Sequence, residues 1–202
     1  MTITLELIKR LRQESGAGVW DCRQALEQNE ADYAGALRFL QDKAAAQARR
    51  QDGRQASQGI VEVYAHNGGR IGVMLEVNCE TDFAARSEKF RAFAHALALH
   101  VAAAQPQWVA DEDVPASVLD EQRSKAASRA RAAGKAETLI PRITAGSVHK
   151  FMDQHVLLRQ PYLYDETLSV GQVLAQVAAS TGENVVIRRF VRWELDEERA
   201  AE

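Results

Sequence analysis

Two alternating segments on either side of a glycine-containing turn constrain this chain more than any other feature of its sequence. The first segment places Val61, Val63 and Ala65 on one face. In the second, every other residue is apolar, in the order Ile71, Val73, Leu75, Val77 and Cys79. Such alternation is typical of strands with one buried face. The turn, His66-Asn67-Gly68-Gly69-Arg70, contains an Asn-Gly pair that tolerates positive φ angles, so the sequence predicts an antiparallel hairpin.

Three short helices are predicted ahead of the hairpin, over residues 1–50. Apolar residues recur at helical spacing behind Thr4, which can act as an N-cap. Gly16-Ala17-Gly18 ends the first helix, and Asp32 can cap the third. So small a unit has little core of its own, and we expect it to rest on a partner. A polar, glycine-containing stretch over residues 51–57 is the predicted linker.

The chain after the linker is predicted to form one α+β domain over residues 58–196. A long helix begins after Ser87, and further helices begin near Pro115, Pro141 and Ser169. The segment 185–193 is a predicted strand, and the hairpin is its best partner. The expected fold class is α+β, with a three-helix module followed by a three-stranded antiparallel sheet packed with helices. Residues 197–202 form an acidic tail.

The second face of this sheet is predicted to be less polar than a face that meets only solvent. Apolar and charged side chains are mixed on it. The apolar ones are Ile60, Tyr64, Met74, Val186 and Phe190, and the charged ones are Glu62, Glu76, Arg188 and Arg192. A mixed face of this kind predicts a protein interface, for which a second copy of the chain, in a homodimer through the sheet, is one candidate.

The charge balance and the cysteine count exclude several classes of protein. Acidic residues number 28 against 25 basic ones, which leaves no electrostatic footprint for nucleic acid. Two cysteines are too few for a disulfide-stapled secreted fold. No apolar run approaches the roughly 20 residues that span a membrane, and no secretion signal is visible. We therefore expect a cytoplasmic protein that binds neither nucleic acid nor membranes.

The sequence contains no recognisable pattern of catalytic or metal-binding residues. Its five histidines lack the Glu or His neighbours of a helical zinc site, and no glycine-rich phosphate loop occurs. Cys79 occupies the inward register of its strand, where cysteines are usually inert. We predict no catalytic residue, no cofactor and no metal.

The turn that follows Cys79 permits two interpretations. Considered by propensity alone it is structural: Asp82 satisfies turn amides, Phe83 tucks under the next helix, and Arg86 meets Glu80. The chain would then be a non-catalytic adaptor whose helical module binds a peptide or a ubiquitin-like partner. A thiol-dependent enzyme that uses Cys79 is the remaining alternative.

The same turn resembles the signature of the elongation factor Ts family. The run Asn78-Cys79-Glu80-Thr81-Asp82-Phe83 matches that signature, with Ala84 where the family usually has Val. Other segments match in order along the chain: Ser15-Gly16-Ala17-Gly18 with Asp21-Cys22-Arg23-Gln24-Ala25-Leu26, then Glu88-Lys89-Phe90, Gln160-Pro161-Tyr162, and Gly182-Glu183-Asn184 with Arg188-Arg189-Phe190-Val191-Arg192. Val19-Trp20 stands where paired Met residues are frequent. The chain resembles the short form of the family.

This resemblance implies a nucleotide exchange factor for elongation factor Tu rather than an enzyme. The amino-terminal module would be a ubiquitin-associated-like fold that docks on the GTPase domain of GDP-bound or nucleotide-free Tu. The docking residues implied by the match are Val19, Trp20 and Arg23. The turn would enter that domain and dislodge the magnesium ion that holds GDP, so that GTP can bind. By match with the family, this second role falls on Thr81, Asp82, Phe83 and Ala84.

Overall fold

Three helices open the chain in the computed structural model, which describes residues 3–51 and 53–195 and, over 48–51, the backbone alone. They are α1 (Leu5–Ser15), α2 (Val19–Gln28) and α3 (Tyr33–Gln51). As predicted, Thr4 accepts the N–H of Leu7 at 3.3 Å, and Asp32 accepts the N–H of Gly35 at 3.0 Å. The buried core that the helices share is small, and it comprises Ile8, Leu11, Cys22, Ala25, Leu26, Ala36 and Leu40.

The rest of the described chain consists of strands and further helices. In chain order they are β1 (Gln58–His66), β2 (Ile71–Cys79), α4 (Asp82–Arg86), α5 (Glu88–Ala104), α6 (Ala116–Ala132), α7 (Ile140–His155), β3 (Pro161–Tyr162), β4 (Asp165–Ser169), α8 (Val170–Thr181) and β5 (Val186–Glu194). The predicted linker, residues 51–57, begins on the last residue of α3 and ends before β1, and residue 52 lies outside the described chain. The predicted acidic tail, residues 197–202, lies wholly outside it.

β1, β2 and β5 form one antiparallel sheet with β2 in the centre. The hairpin closes where His66 pairs with Ile71. Asn67 and Gly68 in its turn adopt φ values of 50° and 67°, the left-handed conformation that an Asn-Gly pair tolerates. The predicted α+β fold, in which the last strand joins the hairpin in one sheet, is confirmed.

The register shows that the face predicted for β1, and for Phe190 and Arg192 of β5, was wrong, whereas Val186 lies on the outer face as predicted. Leu75 is fully buried and pairs with Glu62 on one side and Phe190 on the other, so these three residues share the inner face. Ile60, Tyr64 and Arg192, also predicted for the outer face, share the inner one with them. The outer face carries Val61, Val63, Met74, Val191 and Trp193. Because β1 is apolar on both faces, its own alternation cannot choose between them, and its pairing with β2 decides.

Contacts divide the chain into two units, one that runs to Leu99 and resumes at Gly171, and one from His100 to Val170. The first unit contains the three amino-terminal helices and the sheet. In the second unit α6 packs on α7, and Val114, Met152 and Val156 are buried together. No described helix is long and apolar enough to cross a membrane.

Candidate protein-binding site

A two-residue connection joins β2 to the short helix α4 and positions the residues predicted for the turn. Thr81 caps α4, because its Oγ1 accepts the N–H of Ala84 at 3.3 Å. Asp82 begins the helix, and its carboxylate lies 3.1 Å from the guanidinium of Arg86. Thr81, Asp82, Phe83 and Ala84 therefore lie together in one cap and first helical turn.

Phe83 projects into solvent from this turn. Its exposed fraction is 82%, whereas Ala84 and Ala85 beside it are buried and hold α4 on the domain. The interpretation from propensity alone, in which Phe83 tucks under the helix, is wrong. So is the expected contact of Arg86 with Glu80, because Arg86 pairs with Asp82. The small alanine side chains supply the buried face of α4, so the large aromatic ring is left on the solvent side.

The turn is held by side chains that come from the segment between α8 and β5. Glu183 accepts hydrogen bonds from the backbone N–H groups of Glu80 and Thr81, both at 3.0 Å, and from the Thr81 hydroxyl. In the other direction, Glu80 accepts the backbone N–H of Asn184 at 2.6 Å and lies 3.5 Å from the guanidinium of Arg54. The contacts with Glu183 and Asn184 join residues more than a hundred positions apart in the sequence, and they fix the path of the turn.

Sequence reasoning did not identify Glu183 as part of the site. In the sequence, the Gly182-Glu183-Asn184 segment is only one of the motifs that match the family. No local spacing rule connects it to Thr81, because the two residues are 102 positions apart. A carboxylate directly after a glycine-terminated helix was the one available signal, and it does not name its partner.

Cys79 lies beneath the turn and is fully buried. Its thiol donates a hydrogen bond to the backbone carbonyl of Thr81, with an S···O distance of 3.2 Å. Burial, and then the nearby charge of Glu183, raises the pKa of the Cys79 thiol above its ordinary value. A thiol that stays protonated is a poor nucleophile, so the geometry gives Cys79 a packing role rather than a catalytic one.

A second exposed apolar group lies at the start of α2. Trp20 is 72% exposed, and Val19 beside it is half exposed. Arg23 follows within one helical turn, so the three residues predicted for docking lie on neighbouring positions of one face. The guanidinium of Arg23 pairs with the carboxylate of Glu27 at 2.8 Å. The buried residues of α2 are Cys22, Ala25 and Leu26, and they hold the helix in the small core.

Within the ranges that the structure describes, no group of three or more His, Cys, Asp or Glu side chains is arranged to hold a metal ion. The closest approach of a histidine to a carboxylate joins His95 of α5 to Glu62 of β1 at 2.7 Å, with the ring of Tyr64 edge-on to that of His95. This group ties a helix to the sheet. Phe83 of the turn and Trp20 of α2 are among the large exposed hydrophobic residues of the first unit, together with Trp193 of β5.

Comparison with known proteins places the chain among translation factors. The family model for elongation factor TS matches residues 45–197. The elongation factor Ts of Geobacter metallireducens is 45% identical over 197 residues, which are 98% of this chain and 91% of that protein. That of Carboxydothermus hydrogenoformans is 42% identical over 195 residues, 96% of this chain and 90% of the relative. That of Thermotoga maritima is 43% identical over 197 residues, which cover 98% of each chain.

The resemblance that the turn motif carried thus extends over nearly the whole chain in the relatives, and over residues 45–197 in the family model. The α+β architecture fits the same assignment. The chain belongs to the elongation factor Ts family of translation elongation factors.

Proposed function

We propose that this chain is the nucleotide exchange factor of elongation factor Tu. It binds the GDP-bound form of Tu and promotes GDP release by dislodging the partner's magnesium ion, after which GTP binds. The chain itself is not an enzyme in this proposal. Its action lies in a protein surface that weakens the hold of another protein on its nucleotide.

The exposure of Phe83 is the observation that carries the proposal. A large apolar side chain that stays 82% exposed on an anchored turn is available to enter a partner. Burial of a Phe side chain stabilises a complex by about 1.5–3 kcal/mol, and about 1.4 kcal/mol changes a binding constant tenfold. Insertion of Phe83 would therefore weaken GDP binding by roughly ten- to a hundredfold. Thr81, Asp82 and Ala84 hold the ring in place for that step.

Docking is the separate task of α2. Val19 and Trp20 provide exposed apolar area, and large aromatic residues are the commonest centres of binding energy at protein interfaces. Arg23 adds a charged group at the edge of this area. The small core of the three helices is consistent with a module that gains stability from a partner.

Release of the factor follows from thermodynamic linkage. If the bound factor lowers the affinity of Tu for nucleotide, bound nucleotide must lower the affinity of Tu for the factor by the same ratio. Arrival of GTP therefore expels the factor. The same surface serves binding and departure, and no covalent step is needed.

Release of a fluorescent GDP analogue from elongation factor Tu tests the proposal. We expect the chain to accelerate release in a stopped-flow experiment with excess unlabelled nucleotide. Pull-down from a lysate should retain Tu and lose it on addition of nucleotide. No acceleration of release would overturn the proposal, and retention of a ubiquitin-like protein in place of Tu would favour the adaptor interpretation.

We also infer that the outer face of the sheet binds a second copy of the chain. Val63 and Trp193 are 67% and 70% exposed there, on the two edge strands, with Met74 between them on β2. Two such faces can pack as sheet on sheet, each copy presenting the same patch. Sedimentation should give a dimer, and Val63→Lys should give a monomer. A monomeric wild-type chain would remove the inference.

A further inference from the structure

The direction of Phe83 cannot be set by α4 alone. That helix has five residues, and so short a helix is unstable in water on its own. Within it Ala84 and Ala85 are buried, while Phe83 makes little contact with the domain. The path of the two residues before the helix, Glu80 and Thr81, therefore decides where the ring points.

Glu183 holds both of these residues with one carboxylate. Oε2 accepts the N–H groups of Glu80 and Thr81, each at 3.0 Å, and Oε1 accepts the hydroxyl proton of Thr81. A hydroxyl has only one proton, so the Thr81 oxygen keeps its lone pairs for the N–H of Ala84. Glu183 thus sets the path of the backbone. It also orients the Thr81 hydroxyl, so that the oxygen accepts the N–H that caps α4.

Glu80 makes the contact reciprocal. Its Oε1 accepts the N–H of Asn184 at 2.6 Å, and the Asn184 side-chain amide donates to the backbone carbonyl of Arg54 at 2.9 Å. Each segment supplies a carboxylate to the backbone of the other, and hydrogen bonds to a carboxylate are stronger than those between neutral groups. The turn is therefore held against both sliding and rotation.

We propose that Glu183 is the positioning residue for Phe83, and that it keeps the turn in the shape that displaces magnesium from the partner. This inference rests on the proposed exchange function. The carboxylate is engaged by the turn, so it acts through Thr81 and Phe83 and has no direct role in docking. Loss of Glu183 should lower the rate of GDP release from the bound complex while docking keeps its strength.

Stopped-flow release of fluorescent GDP from Tu, measured at increasing concentrations of the chain, separates the two effects. For Glu183→Gln, which keeps the shape but loses the charge and one acceptor oxygen, we expect the saturating rate to fall about tenfold. The half-saturating concentration should change by less than about twofold. Glu166→Gln, at an exposed glutamate in β4, is the matched control and should match the wild type in both. Thr81→Ser keeps the hydroxyl and should restore most of the rate that Thr81→Ala loses.

Amide hydrogen exchange provides a readout that needs no partner. In Glu183→Gln the N–H groups of Glu80 and Thr81 should exchange at least about tenfold faster, while that of Leu75 in the sheet stays protected. Unchanged exchange at Glu80 and Thr81, or an unchanged saturating rate, would overturn the positioning role. If Leu75 also loses protection, Thr81→Ala is judged by the same two measurements, since it removes only the hydroxyl contacts with Glu183 and Ala84 and leaves the carboxylate of Glu183 in place. A wild-type chain that fails to accelerate GDP release would instead remove the proposed function. The amide hydrogen-exchange result for Glu80 and Thr81 would still hold.

Discussion

The guanidinium of Arg159 meets the carboxylate of Asp111 through two hydrogen bonds, each 2.5 Å long. A further bond from Arg159 reaches Asp153 of α7 at 3.1 Å. The pair joins the segment before α6 to the segment after α7. It therefore links the two ends of the helical pair in the second unit. The hydrogen bonds from Arg159 hold the pKa of the Asp111 carboxyl below its ordinary value of 3.8.

Asp111→Asn should lower the free energy of unfolding by about 0.5–1 kcal/mol, because the pair is bidentate but partly exposed to solvent. The folded state lowers the pKa of Asp111, so the stabilisation is complete above pH 3.8 and is lost as the pH falls through the folded-state value. Urea unfolding near neutral pH and below pH 3.8 tests this, and the difference between variant and wild type should shrink in acid. Asp120→Asn, which removes an exposed single-bond pair with Arg123, is the control and should cost less. A difference in unfolding free energy between Asp111→Asn and the wild type that is independent of pH would contradict the stabilising role of the Asp111–Arg159 pair.

Phe83→Ala should slow GDP release from elongation factor Tu by roughly ten- to a hundredfold. The exposed ring contributes little to the domain core, so the free energy of unfolding should change by less than about 0.5 kcal/mol. Stopped-flow release and urea unfolding measure the two quantities. Tyr164→Ala removes another aromatic ring, 61% exposed in the second unit, and should leave release unchanged. Equal slowing by both variants would show that the effect is not specific to the turn.

Trp20→Ala should weaken the complex with Tu by roughly tenfold or more, because an aromatic anchor of an interface is commonly worth about 2 kcal/mol. Isothermal titration calorimetry measures the affinity. Leu5→Ala, at an exposed leucine in α1, is the comparison and should bind like the wild type. Equal affinity for Trp20→Ala and the wild type would remove α2 from the docking surface.

Gly59→Ala should destabilise the sheet next to the Phe83 turn. Gly59 has a φ of 148° and lies opposite Asn78, and a Cβ on it would come within 2.1 Å of the Val77 carbonyl oxygen. Because the obstacle is backbone, we expect a loss of about 1–3 kcal/mol in the free energy of unfolding. Gly72→Ala is the matched control, since its Cβ would meet no atom within 4 Å. Thermal unfolding should separate the two variants, and similar melting temperatures would contradict the steric argument.

Local patterns predicted most of the fold correctly because the physics behind them is local. The side chains of Thr4 and Asp32 cap their helices by accepting a backbone N–H only three residues away, and the Asn-Gly turn closes the hairpin. β2 was assigned to the right face because only one of its faces is apolar. β1 was not, since Val61 and Ile60 are both apolar and the choice depends on pairing with another strand.

The candidate site shows the same division between features that local patterns predict and features that the tertiary fold decides. Its sequence segment was recognised from a family motif, whereas propensity alone placed Phe83 inside. Propensity fails there because the buried side of α4 is already occupied by Ala84 and Ala85. The contact of the Glu183 carboxylate with the turn could not be predicted from local sequence patterns, because a contact across 102 residues is decided by the tertiary fold.

The reciprocal bonds between Glu80 and Asn184, and between Glu183 and Thr81, have a consequence for the order of folding. The turn acquires its shape only after a loop of about a hundred residues has closed, and such distant contacts form late because chain entropy opposes them. A chain whose residues beyond α8 have not yet docked presents Phe83 on an unanchored loop. If the proposed exchange function holds, the ability to open a partner's nucleotide site therefore arises only with the completed fold.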